Sequence, residues 1–158
     1  RIPEPWTIDV MSMPNPQYTG GGSDVLIDGR RGPDDWRLGA WQGYQHTDFE
    51  AVVDLKEVRA VRRAGASFIQ DARSWIWMPT EVEVSVSADG VQFDEAARVA
   101  NDVADDTDEV VRRDLVAELD GVETRFIRVV ARNYGEIPDW HPGRGGGAFV
   151  FVDEILVE

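Results

Sequence analysis

The sequence of 158 residues predicts an all-β fold, an antiparallel β-sandwich with jelly-roll topology. Three observations carry this. Apolar residues alternate with a period of two, β-rich stretches recur with turn signals between them, and no segment has a convincing amphipathic helical stripe. TIDVMS near the start is the first such stretch, followed by FEAVVDL from Phe49 and VRAVRRAGASFI from Val58. EVEVSVS, Glu81 to Ser87, is the clearest: Val82, Val84 and Val86 fall on one face, as in a half-buried strand, and Asp89-Gly90 supplies the following turn. VVRRDLVAEL from Val110, TRFIRVVAR from Thr124 and AFVFVDEILVE from Ala148 complete the series.

Composition bounds the rest. A chain of this length supports one domain with a real core, residues 1–158, and divides poorly into two. Its net charge of -14 sets a field that repels polyanions, so nucleic acid and anionic membranes are poor partners. Positive charge is nearly all arginine, Lys56 being the single lysine, and the acidity fits high salt or a high-GC genome as well as any function. The absence of cysteine removes a disulfide scaffold, a zinc-thiolate site and a thiol nucleophile. No apolar run of about 18 residues occurs, so no membrane insertion is expected. The chain begins at Arg1 rather than methionine, from which excision out of a larger protein is expected.

Three loops are rich in aromatic residues: Gly32 to Asp48, Gln70 to Pro79 and Asn133 to Gly147. They hold Trp36, Trp41, Trp75, Trp77 and Trp140, all the tryptophans except Trp6. Long loops carrying tryptophan are rarely disordered and often functional. Pyranose rings lay their C–H faces on exposed indoles, and their hydroxyls take arginine, histidine, asparagine and carboxylate partners, so the loops fit a sugar platform. The plain alternative for each tryptophan is a wedge that fixes its loop to the sandwich. Asn101 to Glu109, an acidic run without the glycine and spacing of an EF-hand loop, reads as a solvated connection.

Catalysis has weak support. Gly143-x-Gly145-x-x-Ala148 matches a dinucleotide fingerprint in form, but it precedes a strand, whereas the motif must open a helix that meets the pyrophosphate. Asp139 and His141 stand two apart in a loop with no serine or cysteine signature nearby. Asp34 and Asp35, adjacent carboxylates in a loop, suit a cap, a turn or a cation better than acid–base work. For a cation, Asp28 before Gly29 offers oxygen in a tight turn and Glu154 offers it from a distant strand. Each is equally an ordinary turn or strand residue.

LIDG, WQGY, DFEAVVDL, FIQD, SWIWMPTEVEVSVSADGVQF, RFIRVVARN and FVDEI, taken in order, resemble the discoidin, or coagulation factor 5/8 type C, superfamily. Within it they are most similar to family 32 carbohydrate-binding modules. The match runs from about Tyr18 to Ile155. YTGGGSDVLIDGRRG, WQGY, SWI and DWHPGRGGGAFVFVDEI are similar to modules appended to bacterial family 20 glycoside hydrolases, the β-N-acetylhexosaminidases. The resemblance implies a galactose-binding-domain-like jelly roll of about eight strands, a structural calcium ion and a sugar site in loops at one end. It places the metal on the side chains of Asp28 and Glu154 with carbonyls near Val25, Arg30 and Asp153. Pro33, Asp34 and Asp35 stand where the family often has a threonine or serine ligand, and Asp34 or Asp35 is the expected substitute.

Galactose-binding members of the family use a first-loop histidine, an arginine and an asparagine near Ile69 to Ile76, and an aromatic before the last glutamate. Only the last matches, as Phe149; Ile69 stands in the arginine's place, and Trp75 or Ile76 near the asparagine's. Galactose specificity therefore does not carry over. The expected sugar contacts are Trp41, Tyr44, Trp75, Trp77, Trp140, His141, Arg144 and Phe149. The expected function is a non-catalytic carbohydrate-binding module of a secreted bacterial glycosidase, located extracellularly, in the periplasm or at the cell surface. Its partners would be a glycan or polysaccharide and the parent catalytic domain in the same chain. The competing expectation is a structural module that docks on that catalytic domain without binding sugar, its aromatic loops serving as an interface.

Overall fold

The computed structural model describes residues 4–158; Arg1, on which the expectation of an excised chain rests, lies outside them. Seven strands form the protein: β1 (Thr7–Val10), β2 (Gln42–Gln45), β3 (Phe49–Gln70), β4 (Glu81–Ser87), β5 (Asp94–Ala100), β6 (Val111–Ala131) and β7 (Phe149–Val157). Three short 3₁₀ turns, at Ser23–Ile27, Trp36–Leu38 and Ala72–Ser74, are the only helical elements among the described residues. Every strand pairing is antiparallel.

The two long strands make the sandwich. The first half of β3 pairs with β1 and with the second half of β6, whose other edge carries β4 and then β5. The second half of β3 pairs with the first half of β6 and with β7, whose outer edge carries β2. Thus FEAVVDL and VRAVRRAGASFI, read as separate strands, are one bent strand, and so are VVRRDLVAEL and TRFIRVVAR. The bend sits where the register slips, between Asp54 and Arg59 and again between Val61 and Arg63. Slips of this kind let strands turn a corner from one sheet to the next. Lys56, Asp120 and Gly121 take positive φ there. Asp54 braces the corner, accepting the Lys56 N–H at 2.7 Å and both prongs of the Arg125 guanidinium at 2.9 and 3.1 Å.

Alternation along β3 buries Phe49, Ala51, Val53 and Leu55 and leaves the residues between them partly exposed. These join Phe68, Val84, Ile127, Val150 and Val152 in the main core between the sheets. Gly65 is required in the second half of β3, because a Cβ there would stand 2.0 Å from the Leu115 carbonyl oxygen. In β4, Val82 and Val84 face the core as expected, but a register slip between Val84 and Ser85 buries Ser85 and leaves Val86 at the core's margin. Two strands were not legible. β2 is four residues including two glutamines and a glycine, and β5, DEAARVA, is a largely exposed edge strand of weak β-formers.

Candidate functional site

The aromatic loops divide into rings that face inward and rings that face outward. Along β7, Val150 and Val152 point into the main core, so Phe149 and Phe151 point to the opposite face of the sheet. The Gly32 to Asp48 loop folds onto that face, where Trp41, Ile69, Ile76 and Phe151 form a second buried cluster with Tyr18, Trp36 and Phe149 around it. Trp41 is 1% exposed, and its indole N–H donates to the Pro33 carbonyl at 2.8 Å. Tyr44 is fully buried in the main core and donates its hydroxyl to Gln42 Oε1 at 2.8 Å. Burial pushes its hydroxyl pKa well above the ordinary value. Phe149 is half-buried, edge-on to Tyr18 at 5.6 Å. These three expected sugar contacts are packing residues.

A third cluster takes Trp77 and His141. Trp77 is 1% exposed, stacks on Tyr134 at 5.0 Å and donates its indole N–H to the Asp105 carbonyl at 2.9 Å. His141 is buried with both ring nitrogens engaged: Nε2 lies 2.7 Å from the Ala72 carbonyl, and Nδ1 accepts the Gly143 N–H at 2.9 Å. The second bond makes Nδ1 the unprotonated nitrogen, so Nε2–H donates to Ala72. The imidazole fixes a loop and has no nitrogen left for a sugar hydroxyl or for acid–base work with Asp139. Arg144 is exposed, and its contact in this region is a backbone one, its N–H donating to the His141 carbonyl.

Asn101 to Glu109 is solvated along its outer side, as the sequence reading has it, with Asp102, Ala104, Asp106, Asp108 and Glu109 exposed. Its inner side is fastened to the body: Val103 is buried in the main core, the Ala104 carbonyl accepts from Gln70, and the Asp105 carboxylate accepts the Tyr134 hydroxyl at 2.6 Å. That bond and burial push the Tyr134 pKa up to about 12, burial contributing more. The run's outer residues then meet the two tryptophans left outside, Trp75 and Trp140, which are 37% and 55% exposed. Together with Ala72, Arg73, Asp106, Thr107, Asp108 and Pro142 they line a cleft of 280 Å³. That is close to the lower end, about 300 Å³, of ordinary small-molecule sites.

Trp75 is held there by the backbone. It closes the Ala72–Ser74 turn in the left-handed region, φ 71°, a conformation costing a non-glycine residue roughly 1–3 kcal/mol, and such residues gather at functional sites. The glycine run of GRGGG receives its ring: a Cβ on Gly143 would stand 2.6 Å from the indole. A larger depression of 540 Å³ lies elsewhere, lined by Trp6, Arg31, Arg63, Asp114 and Glu158 among others. Four of its charged groups are paired, Arg31 with Asp114 at 2.8 Å and Arg63 with Glu158 at 3.2 Å; Glu154 also lines it, and it has no exposed indole pair. We assign the candidate ligand site to the smaller cleft on its chemistry.

Asp28 and Glu154, unconnected in sequence, do meet. β7 slips register against β3, so that Ser67 stands opposite Glu154 while Phe68 stands opposite Val152. Asp153 is the extra residue of that bulge, which turns neighbouring side chains toward one loop. Glu154 Oε2 accepts the Gly29 N–H at 2.8 Å, and Asp153 Oδ2 accepts the Gly32 N–H at 2.7 Å and lies 3.2 Å from Arg112. Asp153 Oδ1 and Glu154 Oε1 are buried without a hydrogen-bond partner. Burial, with the Asp28 and Asp153 carboxylates beside it, pushes Glu154 up to about 7, and burial raises Asp153 as well. Orphaned carboxylate oxygens beside a further carboxylate and irregular backbone suit a hard cation. Among the described residues no three His, Cys, Asp or Glu side chains are arranged to hold a metal, so such a site needs carbonyl oxygens too, as calcium's do. Asp35 is engaged otherwise: it caps the Trp36–Leu38 turn and pairs with Arg37. Asp34 pairs with Arg112 at 3.1 Å.

No protein-family model matches the chain, and no curated protein does. Solved structures are similar to it over nearly the whole of this chain. A carbohydrate-binding module from Clostridium perfringens, CpGH89CBM32-5, in complex with GalNAc-β-1,3-galactose, is 14% identical, with a TM-score of 0.58 over 96% of this chain and 94% of that one. The C-terminal domain of a chitobiase from Bacteroides fragilis is 16% identical, with a TM-score of 0.51 over 97% and 92%. A fucolectin from striped bass, Morone saxatilis, is 17% identical, with a TM-score of 0.57 over 96% of this chain and 46% of that one. The bent strands, the two-sided sheet and these similarities together give this chain the discoidin-like all-β fold of the family 32 carbohydrate-binding modules.

Proposed function

We propose that the chain is a non-catalytic carbohydrate-binding module that holds a saccharide in the cleft between Trp75 and Trp140. The observation that carries this is the exposure of those two indoles around a concave site, while the other loop tryptophans are buried or half-buried with their N–H groups bonded. A sugar ring presents C–H faces to the indoles, and Arg73, Asp106, Thr107 and Asp108 supply donors and acceptors for its hydroxyls. The carbohydrate ligands of similarly folded modules support the class: GalNAc-β-1,3-galactose in one and 4,5-unsaturated mannuronic acid in another. A flat patch of the same residues would have favoured docking on a parent domain; a cleft favours a small ligand. His141, locked by two hydrogen bonds, leaves Asp139 without a catalytic partner.

One saccharide buries little surface, so the affinity of a single site is on the order of millimolar to micromolar. Attachment to a secreted glycosidase of the β-N-acetylhexosaminidase type makes such weak binding useful by raising effective concentration. The similar fold of a chitobiase's C-terminal domain supports that parentage, and an extracellular, periplasmic or cell-surface location goes with it. Among the described residues no helix is long and apolar enough to cross a membrane. A structural calcium ion belongs to the same reading, held by Asp28, Glu154 and Asp153 with backbone oxygens of the Val25 to Arg30 segment. It would neutralise the two orphaned carboxylate oxygens and tie β7 to that loop.

Calorimetric titration and a glycan array of the chain test the sugar site. Binding that drops at least tenfold in Trp140→Ala is expected. Unchanged binding in that variant, or no binding to any sugar class, would overturn it.

A further inference from the structure

The cleft carries charge as well as aromatic surface. One wall is Asp106, Thr107 and Asp108, and the only cation among the lining residues is Arg73. Asp106 has no hydrogen-bond or ion-pair partner among the described residues. Asp108 has Arg73 at 3.7 Å, an open contact between two side chains that are 76% and 85% exposed. Asp105, next in line, differs from both, since its carboxylate accepts the Tyr134 hydroxyl. His141, which also borders the cleft, has both ring nitrogens engaged by backbone groups. The whole chain, at -14, reinforces the sign. A cleft with indole walls and unspent carboxylates has the chemistry that holds an organic cation: the rings attract it by their quadrupoles and the carboxylates by charge.

Resting on the reading of this cleft as a saccharide site, we infer that the sugar it selects carries a free amine, a 2-amino-2-deoxyhexose unit of a cationic saccharide. The ammonium lies toward Asp106 and Asp108, and the ring lies on Trp75 and Trp140. Uronic acid sugars are repelled by the same wall. N-acetylated sugars keep the stacking and lose the charge. Arg73 is a built-in competitor for Asp108, so the amine must displace it.

The test is a titration of the whole chain with three trimers of equal length, of glucosamine, N-acetylglucosamine and galacturonic acid, at low and at high salt. At low salt the amine trimer is expected to bind roughly fivefold more tightly than the N-acetylated one, as two partly screened ion pairs would give. High salt shrinks the preference, Asp106→Asn with Asp108→Asn abolishes it, and Arg73→Gln enlarges it. Because any acidic protein attracts a polycation, the control is Glu57→Gln with Asp94→Asn, two exposed acids outside the cleft lining, which must keep the preference. Equal or tighter binding of the N-acetylated or uronate trimer, with Trp140→Ala still weakening it, overturns the amine inference and leaves the saccharide site standing. Equal loss of preference in the control also overturns it. If no trimer binds and Trp140→Ala changes nothing, the saccharide site itself falls, and the inference with it.

Discussion

The Gly32 to Asp48 loop and the Asn133 to Gly147 loop contain the same residue types: tryptophan, histidine, aspartate, arginine and glycine. One closes over the outer face of the β2–β7 sheet and hides its central tryptophan; the other ends in an exposed ring. The difference lies in what the sheet offers underneath. Phe149 and Phe151 project an apolar surface that the first loop must cover, and Pro33 supplies the acceptor that lets Trp41 be buried with its N–H bonded. Under the second loop the apolar space is already filled by Trp77 and by the loop's own Tyr134 and Ile137. Trp140 has nowhere to go but outward. An aromatic ring in a loop is therefore free for a ligand only where the underlying packing is complete without it.

Truncating each kind of ring breaks the comparison most strongly. Trp41→Ala and Trp77→Ala should each cost about 3–5 kcal/mol, the range for removing a large buried aromatic. Trp140→Ala should stay within about 0.5 kcal/mol of the parent, as exposed substitutions do. Denaturant unfolding of the three variants reads this directly. A Trp41→Ala protein that keeps its stability would mean that the outer-face cluster is not a true core.

The next effect separates the two ends of the last strand. If calcium bridges Asp28 and Glu154, excess chelator should destabilise the protein by roughly 2–3 kcal/mol, as expected for an ion held at about a hundred times its dissociation constant. For a chain of this size that is a fall of about 5–10 °C in melting temperature. Asp28→Ala should lower the melting temperature similarly and make it insensitive to chelator. The cleft uses none of these residues, so Trp75 and Trp140 should bind saccharide equally well with and without the ion at a temperature where both forms are folded. An unchanged melting curve in chelator would remove the bridge.

Much of this was legible in the sequence. The period-two runs located five of the seven strands, because each has β-branched or aromatic residues on a face that must be buried. What they could not show is the bend. FEAVVDL and VRAVRRAGASFI look like two strands because exposed residues Glu57 to Ala60 interrupt the alternation, yet hydrogen bonding runs on around the corner. The site was legible by residue type and illegible by orientation. Trp75 and Trp77 are two apart, and only the left-handed turn at Trp75 decides which faces the cleft. The acidic wall was passed over because its value comes from Gln70, Trp77 and Tyr134, which hold that run against the body from 28 to 34 residues away in the sequence, a meeting that only the fold brings about. The meeting of Asp28 and Glu154 depends on a one-residue bulge, which no periodicity reports.

The smallest effect sharpens the role of the glycine run. Gly143 does not adopt a positive φ, so alanine is tolerated by the backbone, and the substitution tests contact alone. The added Cβ would stand 2.6 Å from the Trp75 indole, too close for any real contact, so one of the two must give. The indole is the freer partner, since it is 37% exposed and borders the cleft, whereas the Gly143 N–H is tied to His141. Gly143→Ala should therefore cost less than about 1 kcal/mol in unfolding while tilting Trp75 and weakening saccharide binding severalfold. Tryptophan fluorescence of the variant should shift even without ligand. If stability falls by several kcal/mol while binding by the folded fraction is unchanged, Trp75 is a packing residue like Trp41, and the cleft rests on Trp140 alone.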